Sequence, residues 1–249
     1  MSRGSVGIQR FFRVNWFAFS WRRCFSLVVF IALLIGALLA VQKIFQPTTL
    51  PIQTVQVRGH YPHVSQEQLK AVLLPLVQSG FFGISVTTIQ QHLLSLPWIA
   101  AVSVRKRWPG IITVTLWEHQ PLATWGAHHL VAQNGVLFAP QSGVTDFAYL
   151  PHLSGPLGRF QDVLTMYQQQ AELARSQQLT IAQLDLSETG VWQSCFRNGI
   201  CLTLGSDHVR ERLQRFLSVY PQLFKARAAD IGYIDMRYAN GFAVKWKTS

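Results

Sequence analysis

The sequence predicts an α+β protein carried on one N-terminal membrane-spanning helix. Three observations support this: an uncharged apolar run, a β-α-α-β-β pattern after it, and then a longer stretch of short strands interleaved with helices. They divide the chain into a basic arm (1–23), a transmembrane helix (24–44), a linker (45–51), a first folded domain (52–120) and a mixed antiparallel β domain with flanking helices (121–249).

The run from Cys24 to Val41 contains no charge. At roughly 1.5 Å per residue it reaches about 27 Å, enough to cross a bilayer core. Arg3, Arg10, Arg13, Arg22 and Arg23 precede it with no acid among them, and only Lys43 follows closely, so the N-terminal side reads as cytoplasmic and the remainder as exported. A cleaved signal peptide fits less well, because the run exceeds the usual length and Leu38-Leu39-Ala40 lacks a small residue at the first position of the cleavage motif. The net charge of +11 is largely a topology signal: six of the 22 basic residues fall in the first 50 positions, leaving 16 against 11 acids beyond. That modest excess offers some attraction to anionic lipid and argues against nucleic acid.

Gln46-Pro47-Thr48-Thr49-Leu50-Pro51 is a short stiff linker, since each proline fixes φ and lacks a backbone donor. Ile52, Val55 and Val57 predict a strand ending at Arg58-Gly59. Ser65 and Gln68 form a capping box before Leu69, Val72, Leu73, Leu76 and Val77 at helical spacing. A second helix is predicted over 86–96, burying Ile89, Leu93, Leu94 and Leu96, with Pro97 ending it. Val102 and Val104 begin a hairpin that turns at Trp108-Pro109-Gly110 and returns through Ile112, Val114 and Leu116 to Glu118, completing a three-stranded sheet.

Gln120-Pro121 marks a change of pattern. Short strands are predicted at 123–125, 130–131 and 136–138, a loop at 150–156, a helix at 159–178, a strand at 181–186 and a helix at 210–224 with Leu213, Phe216, Leu217 and Tyr220 on one side. Two strand-like runs, Tyr233–Asp235 and Phe242–Trp246, close the chain. Around Asn198-Gly199, a three-residue hairpin loop matches Phe196 with Ile200, Ser194 with Leu202 and Trp192 with Leu204. That register sets Cys195 opposite Cys201 on the other face. A disulfide is compatible with it, but two unpaired thiols are the preferred reading because a cross-strand bridge strains the S–S dihedral.

Residues that could carry chemistry are few. There is no H-E-x-x-H, G-x-S-x-G, S-x-x-K or phosphate-cradling glycine loop. His60 with His63, and His128 with His129, lack a nearby Asp, Glu or Cys to complete a metal site and read as surface or loop residues. Glu118 and Asp235 end strands, where an acid is usually solvated or paired with an arginine such as Arg237. No catalytic residue, metal or cofactor is expected. Arg105-Lys106-Arg107 reads as a solvated strand face or a contact surface. The terminal strand can lie at a sheet edge open to a partner strand, with Tyr238, Phe242 and Trp246 either as anchors or as ordinary core aromatics.

Several strings occur in an order that resembles the FtsQ/DivIB family of bacterial division proteins. They are Val55-Gln56-Val57-Arg58-Gly59, Leu96-Pro97-Trp98, Arg107-Trp108-Pro109, the stretch 118–125 from Glu118 to Trp125, the stretch 150–156, Glu211-Arg212-Leu213-Gln214-Arg215-Phe216, and the stretch from Asp235 to Trp246. The resemblance implies a POTRA-type domain at 52–120, a β domain from 121, and a non-enzymatic role in the divisome at the septum. The protein is then a single-pass inner-membrane protein with a periplasmic C-terminus. In that family the last strand receives FtsB, itself paired with FtsL, by strand addition. By motif the contacts fall on Arg237, Tyr238, Asn240, Gly241 and Trp246. Other division proteins, FtsI, FtsW, FtsN and FtsA, are further implied partners. Two departures are visible. Ser187-Glu188-Thr189-Gly190-Val191 precedes Trp192 where relatives often carry bases, and Ser85 stands where they often have an aspartate, a position from which it can cap the second helix. The other readings open to such a chain are an outer-membrane assembly or secretion factor, for which no barrel strands follow, and a wall-processing enzyme, which needs Glu118, Asp235 and the histidines to converge in a cleft.

Overall fold

The computed structural model describes residues 21–44, 51–141, 143–156 and 158–247. Most of the basic arm, and residues 45–50 of the linker predicted at 45–51, lie outside the described residues. Helix α1 (Trp21–Ile44) is the one helix among the described residues long and apolar enough to cross a membrane, and its apolar side chains from Phe25 to Val41 are exposed on all sides. A helix that is apolar all round and packs against no protein needs lipid to cover it.

The first folded unit runs β1 (Thr54–His60), α2 (Gln66–Val77), α3 (Gly80–Gly83), α4 (Val86–Leu94), β2 (Ile99–Arg107) and β3 (Ile111–Glu118). Its sheet has the order β1-β3-β2, with β1 parallel to β3 and β2 antiparallel to it. The expected capping box is complete: the Gln68 amide donates to Ser65 Oγ at 3.1 Å, and the Ser65 amide donates to Gln68 Oε1 at 3.0 Å. Ser85 caps α4 as expected, accepting from the Thr88 amide at 3.3 Å. Ile112, Val114 and Leu116 of β3 have no solvent exposure and pack under Leu69, Leu73, Ile89 and Leu93. Each such burial is worth about 1.5–3 kcal/mol. Two details depart from expectation. Helix α4 stops at Leu94, which is exposed, because Ser95 closes it with its hydroxyl on the His92 carbonyl; α3 is an additional turn built on Gly80-Phe81-Phe82-Gly83. Gly59 is required: it sits at φ +123°, where a Cβ would stand 2.2 Å from the Leu116 carbonyl oxygen.

The second unit is a nine-stranded mixed sheet containing β4 (Pro121–Trp125), β5 (His129–Ala132), β6 (Leu137–Phe138), β7 (His152–Ser154), β8 (Ile181–Leu186), β9 (Trp192–Phe196), β10 (Cys201–Gly205), β11 (Ile231–Asp235) and β12 (Ala243–Trp246). Its order is β12-β11-β10-β9-β8-β7-β4-β5-β6, so β12 is one edge. Helices α5 (Phe160–Arg175) and α6 (Val209–Val219) cover one face, with Phe216 central to the core. Phe138 and Phe147 of this unit pack on Trp98 of the first, joining the two units through one shared apolar cluster.

Four expectations are corrected here. The segment 150–156, expected as a loop, contains β7, which pairs in parallel with both β4 and β8 and buries Leu153 completely; Pro151 and Pro156 stand outside the paired residues and so do not break the ladder. The helix expected over 210–224 ends at Val219, because Pro221 turns the chain into a wider turn (Tyr220–Phe224) and a tighter one (Lys225–Asp230). The three-residue hairpin loop holds, with Cys195 opposite Cys201 and Ser194 opposite Leu202, but an irregularity after Thr203 pairs Trp192 with Gly205 instead of Leu204. Cys195 and Cys201 are joined by a disulfide rather than left as thiols: direct pairing on the open face brings their Cα atoms to 4.0 Å.

Candidate binding edge

Strand β12 is held on one side by β11, antiparallel, with Tyr233 opposite Lys245, Ile234 opposite Val244 and Asp235 opposite Ala243. Among the described residues nothing pairs with its other side. It is short and follows a loop, Met236 to Phe242, that carries most of the residues in question. Met236 is buried and its amide donates to the Thr203 carbonyl at 2.9 Å, which fixes where the loop departs from the sheet. Phe242 returns into the core edge-on to Phe224, with ring centroids 5.3 Å apart. Between these two fixed points the loop displays Arg237, Tyr238 and Asn240 outward.

Arg237 is not free to choose its direction. Its Nη2 donates to Asp235 Oδ2 at 2.6 Å and its Nε to Oδ1 at 3.0 Å, while its backbone amide also donates to Oδ1 at 3.0 Å. These bonds to Arg237 hold the Asp235 carboxyl below the usual carboxylate range, and the carboxylate in return raises the guanidinium further above its already high value. Nη1 of Arg237 has no partner among the described residues, so one face of the fork remains presented outward. Tyr238 is 57% exposed, and its carbonyl accepts from Arg215 Nη1 at 3.1 Å. Trp246 is 41% exposed and is held from behind by Arg227, whose guanidinium carbon lies 4.2 Å from the ring centroid. Gly241 has no atom within 4 Å of where a Cβ would be, so the surface there is open. The structure thus brings the five sequence-predicted residues to one edge of the sheet. It adds Tyr233, exposed beside Lys245, and Arg227, which sequence reasoning missed. Arg227 had no signal in the sequence because its contact with Trp246 depends on the unpredicted turns after α6.

The acids and histidines lie apart from this edge. Glu118 is not arginine-paired: its buried carboxylate accepts from the His63 amide at 3.0 Å and lies 2.8 Å from His63 Nδ1. His63 is accordingly not a bare surface residue, since its ring stacks on Trp98 with centroids 3.9 Å apart. His60, His63, Glu118 and His119 line one cavity of about 230 Å³, but Asp235 sits on β11, five strands from the β4 that reaches the cavity, and lines none of it. Burial lowers the His119 pKa and so favours its neutral form. No Ser, Thr or Cys lines that cavity, and among the described residues no group of His, Cys, Asp and Glu is arranged to hold a metal. The His63–Glu118 pair lies within the first unit, and it is the His63 ring that reaches the second, with its centroid 5.9 Å from that of Phe147.

Two family models match the chain: one described as a FtsQ-type POTRA domain over residues 50–119, and one described as the C-terminal part of cell division protein FtsQ/DivIB over residues 123–237. A cell division protein FtsQ of Shewanella oneidensis is 36% identical over 94% of this chain and 88% of its own length. The chain belongs to the FtsQ/DivIB family. Proteins of the same name from Xanthomonas campestris (36% identical over 78% of this chain and 69% of theirs) and Aliivibrio fischeri (38% over 80% and 77%) are also similar. The α+β architecture and the FtsQ-type POTRA domain are therefore those of this family. The C-terminal family model ends at Arg237, inside that loop and just before Tyr238 and the strand that carries Trp246.

Proposed function

We propose that this FtsQ/DivIB family member is a non-enzymatic scaffold of the division complex, with the POTRA domain at 52–120 and the β domain at 121–249 both exported. It binds an FtsB–FtsL pair through Arg237, Tyr238, Asn240, Gly241 and Trp246, and so recruits and controls septal wall synthesis. The observation that carries this reading is the outer side of β12, which has no partner among the described residues and carries exposed Trp246 on the strand, with exposed Tyr238 on the loop before it. An incoming strand satisfies backbone donors and acceptors that otherwise face water, and Tyr238 and Trp246 bury apolar area against it. Arg237, already oriented by Asp235, presents its remaining donor to a partner carboxylate.

The basic arm before α1 supports an N-terminus in the cytoplasm and the folded domains outside it, in the inner membrane at the septum. Confinement to the membrane plane raises the local concentration of a likewise anchored partner, so a short strand contact suffices. The test is pull-down of the full chain with a matching FtsB–FtsL pair. Capture is expected to fall for Tyr238→Ala and Trp246→Ala, and undiminished capture by both folded variants overturns the assignment to this edge.

A further inference from the structure

The POTRA-type sheet has an open face opposite its helices, and the charges on it are unequally placed. Arg58, Arg105 and Arg107 lie on that face with Thr113, Thr115 and the half-exposed Trp117. Among the described residues none of these arginines has an acidic partner; Arg58 bonds Gln56, and Lys106 turns to the other face to donate to the Phe81 carbonyl at 3.0 Å. The acids of this unit lie at its far end: Glu67 is in the first turn of α2, which follows β1, and Glu118 ends β3.

The near end is defined by hydrogen bonds. The chain enters β1 at Gln53, whose amide donates to the Gly110 carbonyl at 2.9 Å, and Thr54 and Arg107 flank Ile111 in one row of the sheet. Gly110 must be glycine here, because at φ +74° a Cβ would stand 2.9 Å from the Pro51 carbonyl oxygen. The turn beside it presents Trp108 at 72% exposure, and Phe82 is also exposed at this end, next to the Phe81 that Lys106 reaches. From Ile44 to Pro51 the chain spans at most about 25 Å, at roughly 3.5 Å per residue. The end of the domain that carries Trp108, Arg105 and Arg107 is therefore the end tethered to α1.

Exposed tryptophan with arginine and no acid is the chemistry of a headgroup interface, and the tether leaves that surface within reach. We propose that the Trp108 turn, with Arg105 and Arg107 behind it, docks the POTRA-type domain onto the anionic phospholipid surface of the leaflet from which α1 emerges. Docking sets the tilt of the domain and, through the shared Trp98–Phe138 cluster, the height at which β12 is presented. The inference rests on α1 spanning the bilayer and not on the identity of the β12 partner.

The test uses the full chain with fluorotryptophan in nanodiscs of phosphatidylcholine alone or with phosphatidylglycerol, each doped with a headgroup gadolinium lipid. The Trp108 fluorine resonance is identified by its loss in Trp108→Phe. It is expected to broaden in the anionic discs, to recover at high salt, and to recover in the Arg105→Gln/Arg107→Gln variant, whose docked-to-undocked ratio falls about 30-fold for two removed charges. Unchanged resonances from buried Trp98, Trp125 and Trp192 report that the variant is folded. A sharp Trp108 resonance in anionic discs overturns the proposal, as does equal broadening in both lipids. Broadening that arises only when another protein is added assigns the patch to an acidic protein partner instead. A chain that does not enter discs refutes the spanning role of α1 and the docking with it.

Discussion

Replacing Trp246 by alanine tests the binding edge quantitatively. The ring is 41% exposed in the free protein. For a tryptophan of roughly 250 Å² this leaves about 100 Å² to be covered by a partner, worth ~2.5 kcal/mol at ~25 cal/mol per Å². That corresponds to an upper limit of about 70-fold in Kd. The other roughly 150 Å² is already covered in the free protein, in part by Arg227 at 4.2 Å, so the fold loses stability as well, by up to about 4 kcal/mol at the same coefficient. Calorimetric titration of the full chain in detergent with an FtsB–FtsL pair is the appropriate assay, with a melting curve on the same sample. Trp246→Ala is expected to weaken binding by about 10- to 70-fold at a temperature where its lowered melting curve still shows a folded protein, and Trp246→Phe is expected to fall between. A folded Trp246→Ala protein that binds within about threefold of wild type would refute the anchor role of this ring.

Three further outcomes are expected. Gly59→Ala should destabilise the first unit by more than ~2 kcal/mol in a denaturant melt, since its Cβ would meet the Leu116 carbonyl oxygen at 2.2 Å in a backbone conformation that side chains avoid. Reducing the Cys195–Cys201 bridge, which closes a six-residue separation, should lower stability by about 2 kcal/mol, and alkylation of the unreduced protein followed by mass measurement should find both sulfurs blocked from reaction. Because Asp235 is depressed in the folded state, its contribution is present above the ordinary carboxylate pKa and is lost as pH falls through the lower folded value. The Asp235 contribution to stability and Arg237-dependent binding should therefore hold from neutral pH down to about 4 and decline only below it, a decline absent in Asp235→Asn, whereas the loss from buried His119 sets in below about pH 6.5 in both proteins.

The first unit was largely legible because each element carries its own signal: the Ser65–Gln68 box starts α2, and alternation over Ile112, Val114 and Leu116 marks β3. What escaped depended on tertiary pairing. β7 has only His152, Leu153 and Ser154 between turn-forming residues, and it is a strand only because β4 and β8 flank it. The end of α6 was overrun because its apolar spacing continues through Tyr220 and Phe224, both buried, although Pro221 has already changed the backbone. Glu118 was expected to be solvated or beside an arginine, and its actual partner, His63, is 55 positions away in the chain. At the binding edge, Tyr238, Phe242 and Trp246 read as anchors or core aromatics from the terminal strand alone, and the assignment of Arg237, Asn240 and Gly241 as contacts came from family resemblance. The pairing of Asp235 with Arg237 was open to sequence reasoning and is found; what no spacing reveals is that Arg227 backs Trp246 and that Phe242 points inward while its neighbours do not.

Amide hydrogen exchange across Ala243 to Trp246, in the full chain alone and with a bound FtsB–FtsL pair, tests the central claim most directly. Strand addition at β12 predicts that amides on its outer side exchange quickly in the free protein and become strongly protected in the complex. A stable complex that leaves exchange along β12 unchanged would contradict it.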